Sequence, residues 1–170
     1  MEPDEAVALD LVIEAGAWDD DLEELALRAC GHVARHLDLP AGIEVVVLAC
    51  DDSRIAALNA DFRGKPKATN VLSWPAQELA SAQDGEAPDA PSPDFPGMPP
   101  ALGDIALAYE TCLAEAHAGN RAFPDHLSHL IIHGMLHLLG YDHERDADAA
   151  LMEVLEIAIL DEMGIQNPYS

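Results

Sequence analysis

The chain's 170 residues suit one domain and are enough to bury a core without disulfide staples. An apolar fraction of 49% excludes a disordered chain, and a formal charge of −24, from 32 acidic against 8 basic side chains, excludes indiscriminate nucleic-acid binding, which depends on phosphate neutralisation. Cys30, Cys50 and Cys112 are odd in number and form no Cys-x-x-Cys pair, the pattern of reduced thiols. The acidic start at Met1–Glu5 and the lack of an apolar run near the roughly 20 residues of a membrane span point to a soluble cytoplasmic protein.

The alternating run Val7 to Ile13 predicts a first strand. Helical periodicity with acidic residues in the first turn follows from Asp19 to Leu37. The apolar run Ile43 to Ala49 predicts a buried second strand, Asp51 or Asp52 caps a short helix through Asn59, and Val71 to Trp74 forms a third strand ended by Pro75. Residues 76 to 101 hold six prolines between Pro88 and Pro100, so a long surface loop is expected there. A strand resumes from Gly103 to Tyr109 with Ile105, Leu107 and Tyr109 on one face, then helices at about Glu110 to Gly119, Pro124 to Leu139 and Asp146 to Met163. The order βαβαββααα gives one small sheet covered by helices. Because the segment Leu127 to Leu139 is apolar nearly all round, its helix is expected at the centre.

That helix carries the chain's most informative motif, His133-Gly134-Met135-Leu136-His137-Leu138-Leu139-Gly140-Tyr141-Asp142-His143. Residues four apart leave one helix face a turn apart, so His133 and His137 can share an ion. Gly140 can end the helix in the left-handed conformation and return His143 from another direction. Three protein ligands with a fourth position open are the catalytic zinc arrangement, whereas structural zinc is closed by four. His126 and His129 lie upstream on a similar face. His129 shares the four-residue spacing with His133, but three histidines over two turns of straight helix cannot all reach one ion, so it is expected to orient a ligand or meet substrate.

The spacing also matches the zinc-peptidase pattern His-Glu-x-x-His-x-x-Gly-x-x-His, whose Glu is the general base. Gly134 stands at that position, so a peptidase lacks its proton acceptor and becomes the second reading. Glycine inside a helix costs roughly 0.5 to 1 kcal/mol relative to alanine, so something favours its missing side chain: room for a phosphodiester beside the metal, or close packing of another backbone. Of the eight basic residues, Arg54, Arg63, Lys65 and Lys67 share one stretch, and Phe62 to Pro75 contains no acid, which makes this segment the candidate phosphate contact. Asp142 and Asp104 are candidate acceptors for a ligand imidazole N–H or simply turn and strand-start residues.

Three separated motifs, Leu58-Asn59-x-x-Phe62-Arg63 running on to Thr69-Asn70-Val71-Leu72-Ser73-Trp74-Pro75, then Leu102-Gly103-Asp104-Ile105, then His133 to His143, resemble the YbeY family of metal-dependent endoribonucleases. The resemblance spans most of the chain. It implies an α/β fold of α+β type, a single domain over 1–170 with a mixed sheet of about four strands packed on about five helices. It further implies one Zn2+ held by His133, His137 and His143, an essential Arg63, and catalysis by Arg63 and His133. The implied substrate is single-stranded rRNA, with maturation of the 16S 3′ end, ribosome quality control, and the 30S subunit with its assembly factors as the setting; no membrane partner is implied. Asn70 stands where the family usually has Asp, and Trp74 where Phe is common. Zinc activating a water and zinc polarising a phosphate oxygen for attack by a ribose 2′-OH both fit, with Arg63 as a bidentate phosphate contact. A metallopeptidase and a non-catalytic ribosome assembly factor with a structural metal are the alternatives.

Overall fold

The computed structural model describes residues 6–169. Strands β1 (Val7–Ile13), β2 (Ile43–Cys50), β3 (Val71–Pro75) and β4 (Ala101–Ala108) form one sheet in the spatial order β1-β2-β4-β3. The first three neighbours run parallel, and β3 pairs antiparallel with β4 at the edge, so the sheet is mixed. Among the described residues five helices cover it: α1 (Leu22–His36), α2 (Asp52–Arg63), α3 (Tyr109–Ala118), α4 (Phe123–Leu138) and α5 (Asp146–Glu162). No described helix is long and apolar enough to cross a membrane.

One face of the central strands is covered throughout, and the opposite face is covered where α2 packs on their later residues, which is why β2 from Val45 on reads as a continuous apolar run rather than an alternation. Val45, Val47 and Ala49 join the main core with Ile105, Leu107 and the apolar side chains of α1 and α4. Cys50 turns the other way, with Ile55, Leu72, Ala106 and Ala108, into a smaller core under α2. Helix α4 lies at the centre, packed against α1, α3, α5, β3 and β4, and its residues from Leu127 to Leu138 are mostly buried, as its all-round apolar character requires.

Two boundaries differ from the sequence pattern for identifiable reasons. Helix α2 continues past Asn59 to Arg63 and stops at Gly64, which is left-handed at φ 68°. Asn59 does not end the helix because its side chain is buried and its Nδ2 donates to the Lys67 carbonyl across 3.0 Å, a tertiary bond rather than a cap. Strand β4 ends at Ala108, and Tyr109 opens α3 instead of continuing the face of Ile105 and Leu107. There its ring packs edge-on against Trp18 and Phe123, at centroid distances of 5.1 and 5.6 Å.

Residues 76 to 100 form neither helix nor strand and are largely exposed. Their first residues are nevertheless fixed. Gly103, at φ +134°, lets the chain after β3 cross closely: a Cβ there would sit 2.1 Å from the Trp74 carbonyl oxygen. The Ala76 N–H then donates to Leu102, Leu79 is buried, and Arg145 at the start of α5 donates to the carbonyls of Ser81 and Ala82.

Candidate metal centre

The last turn of α4 and the chain after it bring three imidazoles together. Helix α4 ends on paired bonds, Tyr141 N–H to Leu136 and Gly140 N–H to His137, each 3.0 Å, which close a helix around a left-handed glycine. Gly140 is at φ +102°, and a Cβ on it would lie 2.8 Å from the backbone of Leu79 and Ala80, so conformation and space both demand glycine. The chain therefore turns back, and the Asp142 carboxylate accepts the His143 backbone N–H at 2.7 Å to hold the turn. His133, His137 and His143 end with ring centroids 4.5, 5.5 and 5.0 Å apart and with one ligand nitrogen from each lying within 4.8 Å of the others.

The donor set fits a divalent cation. His133 Nε2 and His137 Nε2 face each other at 3.0 Å, near the roughly 3.3 Å that separates two ligands on a tetrahedral ion with bonds of about 2.0 to 2.1 Å. Burial, reinforced by His133 and His143, lowers the His137 pKa to about 4. That residue is therefore a neutral imidazole with a lone pair to give at neutral pH. Of its neighbours, Glu78, Asp142 and Glu144 line the adjoining cavity of about 360 Å³ with a single guanidinium, that of Arg63. The negative balance is one a cation would relieve.

Of the other expected residues, Arg63 is brought to the site and Arg54 is not. Arg63 is the last residue of α2, exposed, and reaches a cavity that also holds His137, His143, Tyr141, Ser73 and Pro75. Among the described residues it makes no ion pair. Arg54 lies near the other end of the same helix, about 14 Å away along its axis, and its Nε donates to Glu14 at 3.2 Å. Lys65 and Lys67 stay exposed beside Arg63, as does Phe62, whose ring meets Trp74 edge-on at 5.5 Å. The proline-rich segment also contributes, since Gln77 to Ala80 form one wall of the cavity.

At three further positions the structure selects between the readings the sequence leaves open. Gly134 does not open space beside the histidine cluster. Its missing side chain is occupied by Ile105 of β4, whose Cγ2, Cδ1 and Cγ1 would lie 3.1, 3.3 and 3.4 Å from a Cβ. Asp104 is exposed, one position from Ile105, and therefore on the opposite face of the sheet from α4. Asp142 is a turn residue. The acceptor for an imidazole of the cluster is Glu156 of α5, whose Oε1 receives His133 Nδ1 at 2.9 Å and, from outside the cluster, His129 Nε2 at 3.0 Å. Burial pushes this carboxyl up, but the bonds and charges of His129 and His133 outweigh it and hold the pKa at about 2. A sequence signal for it exists: Glu156 falls four residues from both Met152 and Leu160, on the buried stripe of α5. His126 is engaged elsewhere, on Glu115 at 2.9 Å, and Asn70 Nδ2 donates to the same carboxylate at 3.0 Å. An aspartate at 70 would have no N–H to offer Glu115, which gives the uncharged residue a physical reason.

The family model described as Endoribonuclease YbeY matches residues 13–164. The chain belongs to the YbeY family. Relatives named Endoribonuclease YbeY include those of Ruegeria sp. (strain TM1040), 56% identical over 95% of both chains, and of Dinoroseobacter shibae, 52% identical over 99% of this chain and 95% of that one. A Thermotoga maritima protein known from its solution structure superposes with a TM-score of 0.56 at 22% identity, covering 92% of each chain; it shares the fold of this YbeY-family chain.

Proposed function

We propose that this chain is a single-strand-specific, zinc-dependent endoribonuclease acting in 16S rRNA 3′-end maturation and ribosome quality control. The observation that carries the reading is the meeting, in one cavity, of His137 and His143 of the three-histidine cluster with the guanidinium of Arg63, which makes no ion pair among the described residues. In this reading those three histidines hold one zinc per chain, and bound zinc supplies Lewis acidity toward a phosphoryl oxygen. Arg63 binds the phosphate with its planar fork and stabilises the charge that grows in the transition state. His133 is oriented through its Nδ1, and His137 stays neutral. Lys65 and Lys67 attract the flanking backbone in a chain whose charge of −24 repels RNA elsewhere. Phe62, 65% exposed, presents a face on which an unpaired base can stack. The substrate is accordingly single-stranded rRNA, with the 30S subunit and its assembly factors as partners and the cytoplasm as the site of action.

The peptidase reading loses its base twice, since Gly134 carries no carboxylate and its Cβ position is filled by Ile105. A non-catalytic assembly factor with a structural metal would want a fourth protein ligand, and the described residues bring only three together. The test is elemental analysis with a cleavage assay on an rRNA fragment. About one zinc per wild-type chain is expected, with loss of both metal and cleavage in His133→Ala and His137→Ala. Full metal content in both variants would remove the site, and zinc-loaded wild type that leaves RNA intact would remove the enzyme.

A further inference from the structure

We propose that Glu156 and Tyr169 act as a positioning relay for His133, making the C-terminal segment a working part of the metal centre; this rests on the zinc reading given above. Glu156 is 1% exposed, and a buried carboxylate must be matched by donors. It has three. Oε1 accepts His133 Nδ1 and His129 Nε2 at 2.9 and 3.0 Å, and Oε2 accepts the Tyr169 hydroxyl at 2.9 Å.

The geometry assigns Tyr169 and His133 different tasks. The last torsion of a glutamate is broad and nearly two-fold, so a carboxylate bound through one oxygen can still turn about it. Tyr169 holds the second oxygen, which fixes the plane and presents Oε1 to both imidazoles. His133 then donates through Nδ1, and this places its lone pair on Nε2, the nitrogen that faces His137 at 3.0 Å. A metal-bound histidine with its other nitrogen on a carboxylate has its tautomer and ring angle set in advance.

Tyr169 is itself held for this task. Its ring meets His129 edge-on at 5.6 Å, its N–H donates to Asn167 Oδ1 at 2.8 Å, and Arg121 donates to the Pro168 carbonyl, tying the segment to the turn before α4. Burial and then the Glu156 charge raise the hydroxyl's pKa, so it remains a donor throughout the physiological range. A tail that merely covered the surface would need no hydroxyl aimed at a carboxylate shared by two histidines.

The test uses full-length Tyr169→Phe and Glu156→Gln proteins. Zinc affinity is measured by competition with a chromophoric chelator, the melting temperature of the metal-free protein by calorimetry, and the His133 tautomer by long-range ¹H–¹⁵N spectra. Glu156→Gln should weaken zinc about tenfold to a hundredfold, the range for lost support of a ligand, and Tyr169→Phe by a smaller, several-fold factor. Both should still reach one zinc at saturation, and metal-free Tyr169→Phe should show His133 in two tautomers. If the buried Glu156→Gln does not fold, Tyr169→Phe decides alone, because its ring remains and Tyr169 is 47% exposed. Tyr169→Phe with wild-type zinc affinity and a single His133 tautomer, whatever its melting temperature, would show a surface staple and overturn the relay. Wild-type protein without zinc affinity would overturn the metal reading and the relay together.

Discussion

Replacing Gly134 with alanine sets helix propensity against packing, and the structure indicates that packing prevails. Alanine is about 0.5 to 1 kcal/mol better than glycine inside a helix. Here the new methyl would meet three carbons of Ile105 within 3.4 Å, and Ile105 is fully buried on the central strand β4. A β-branched side chain has little freedom at χ1, so the ring of contacts cannot be relieved by a rotamer change. Overpacking of this kind costs roughly 1 to 3 kcal/mol, leaving a net loss of up to about 2.5 kcal/mol once propensity is subtracted. On an Ile105→Ala background, which itself costs roughly 2 to 5 kcal/mol, the clash is gone and Gly134→Ala should instead gain about 0.5 to 1 kcal/mol. The two effects differ by the overpacking itself, about 1 to 3 kcal/mol, a coupling within reach of a double-mutant cycle by urea denaturation. Zinc content should not change in any of the four proteins. Gly134→Ala that stabilises the wild type, or that has the same effect on both backgrounds, would refute the assignment of Gly134 to Ile105. A glutamate at this position would likewise enter the core before it could serve as a base, so Gly134→Glu should unfold the protein rather than create a peptidase.

Arg63→Ala should abolish RNA cleavage with zinc and fold retained, and Arg63→Lys should recover only part of it, because a lysine is a point charge where a bidentate fork is used; wild-type turnover of an rRNA fragment by either variant would remove Arg63 from the site. Burial raises the thiols of Cys30 and Cys112 from 9.0 to about 12 and that of Cys50 to about 11. They should resist a disulfide reagent at pH 8 in the native protein and react on unfolding. Since the unfolded chain ionises them first, their contribution to stability is complete below about pH 9 and is lost as pH rises toward 11 to 12; denaturation midpoints that stay flat over that interval would contradict the burial.

Much of the candidate metal site is legible in the amino-acid sequence. His133 and His137 share a face through helix periodicity alone, and Gly140 marks where the helix must end, so the return of His143 follows from local stereochemistry. Arg63 stands out by charge. Glu156 is marked by its place on the buried stripe of α5 but not as the partner of His133, because it is brought beside that residue only when α5 folds back across α4, a contact between separated segments that periodicity does not encode. The same holds for Tyr169, and for the Leu79–Ala80 wall of the cavity, which belongs to a segment whose composition predicts only a loop.

By itself the sequence determined the elements, the order βαβαββααα, the burial of α4 and the three-histidine spacing, because each depends on residues close along the chain. The tertiary structure alone decided that Gly134 accommodates Ile105 rather than a substrate, that Arg54 pairs with Glu14 while Arg63 stays open, and that Asp104 faces away while Glu156 faces in. The physical reason is common to all three. A residue's type sets which bonds and contacts it can make, but the direction its side chain takes is fixed by the neighbour that packing supplies, and packing density leaves one arrangement in which buried donors and acceptors are matched.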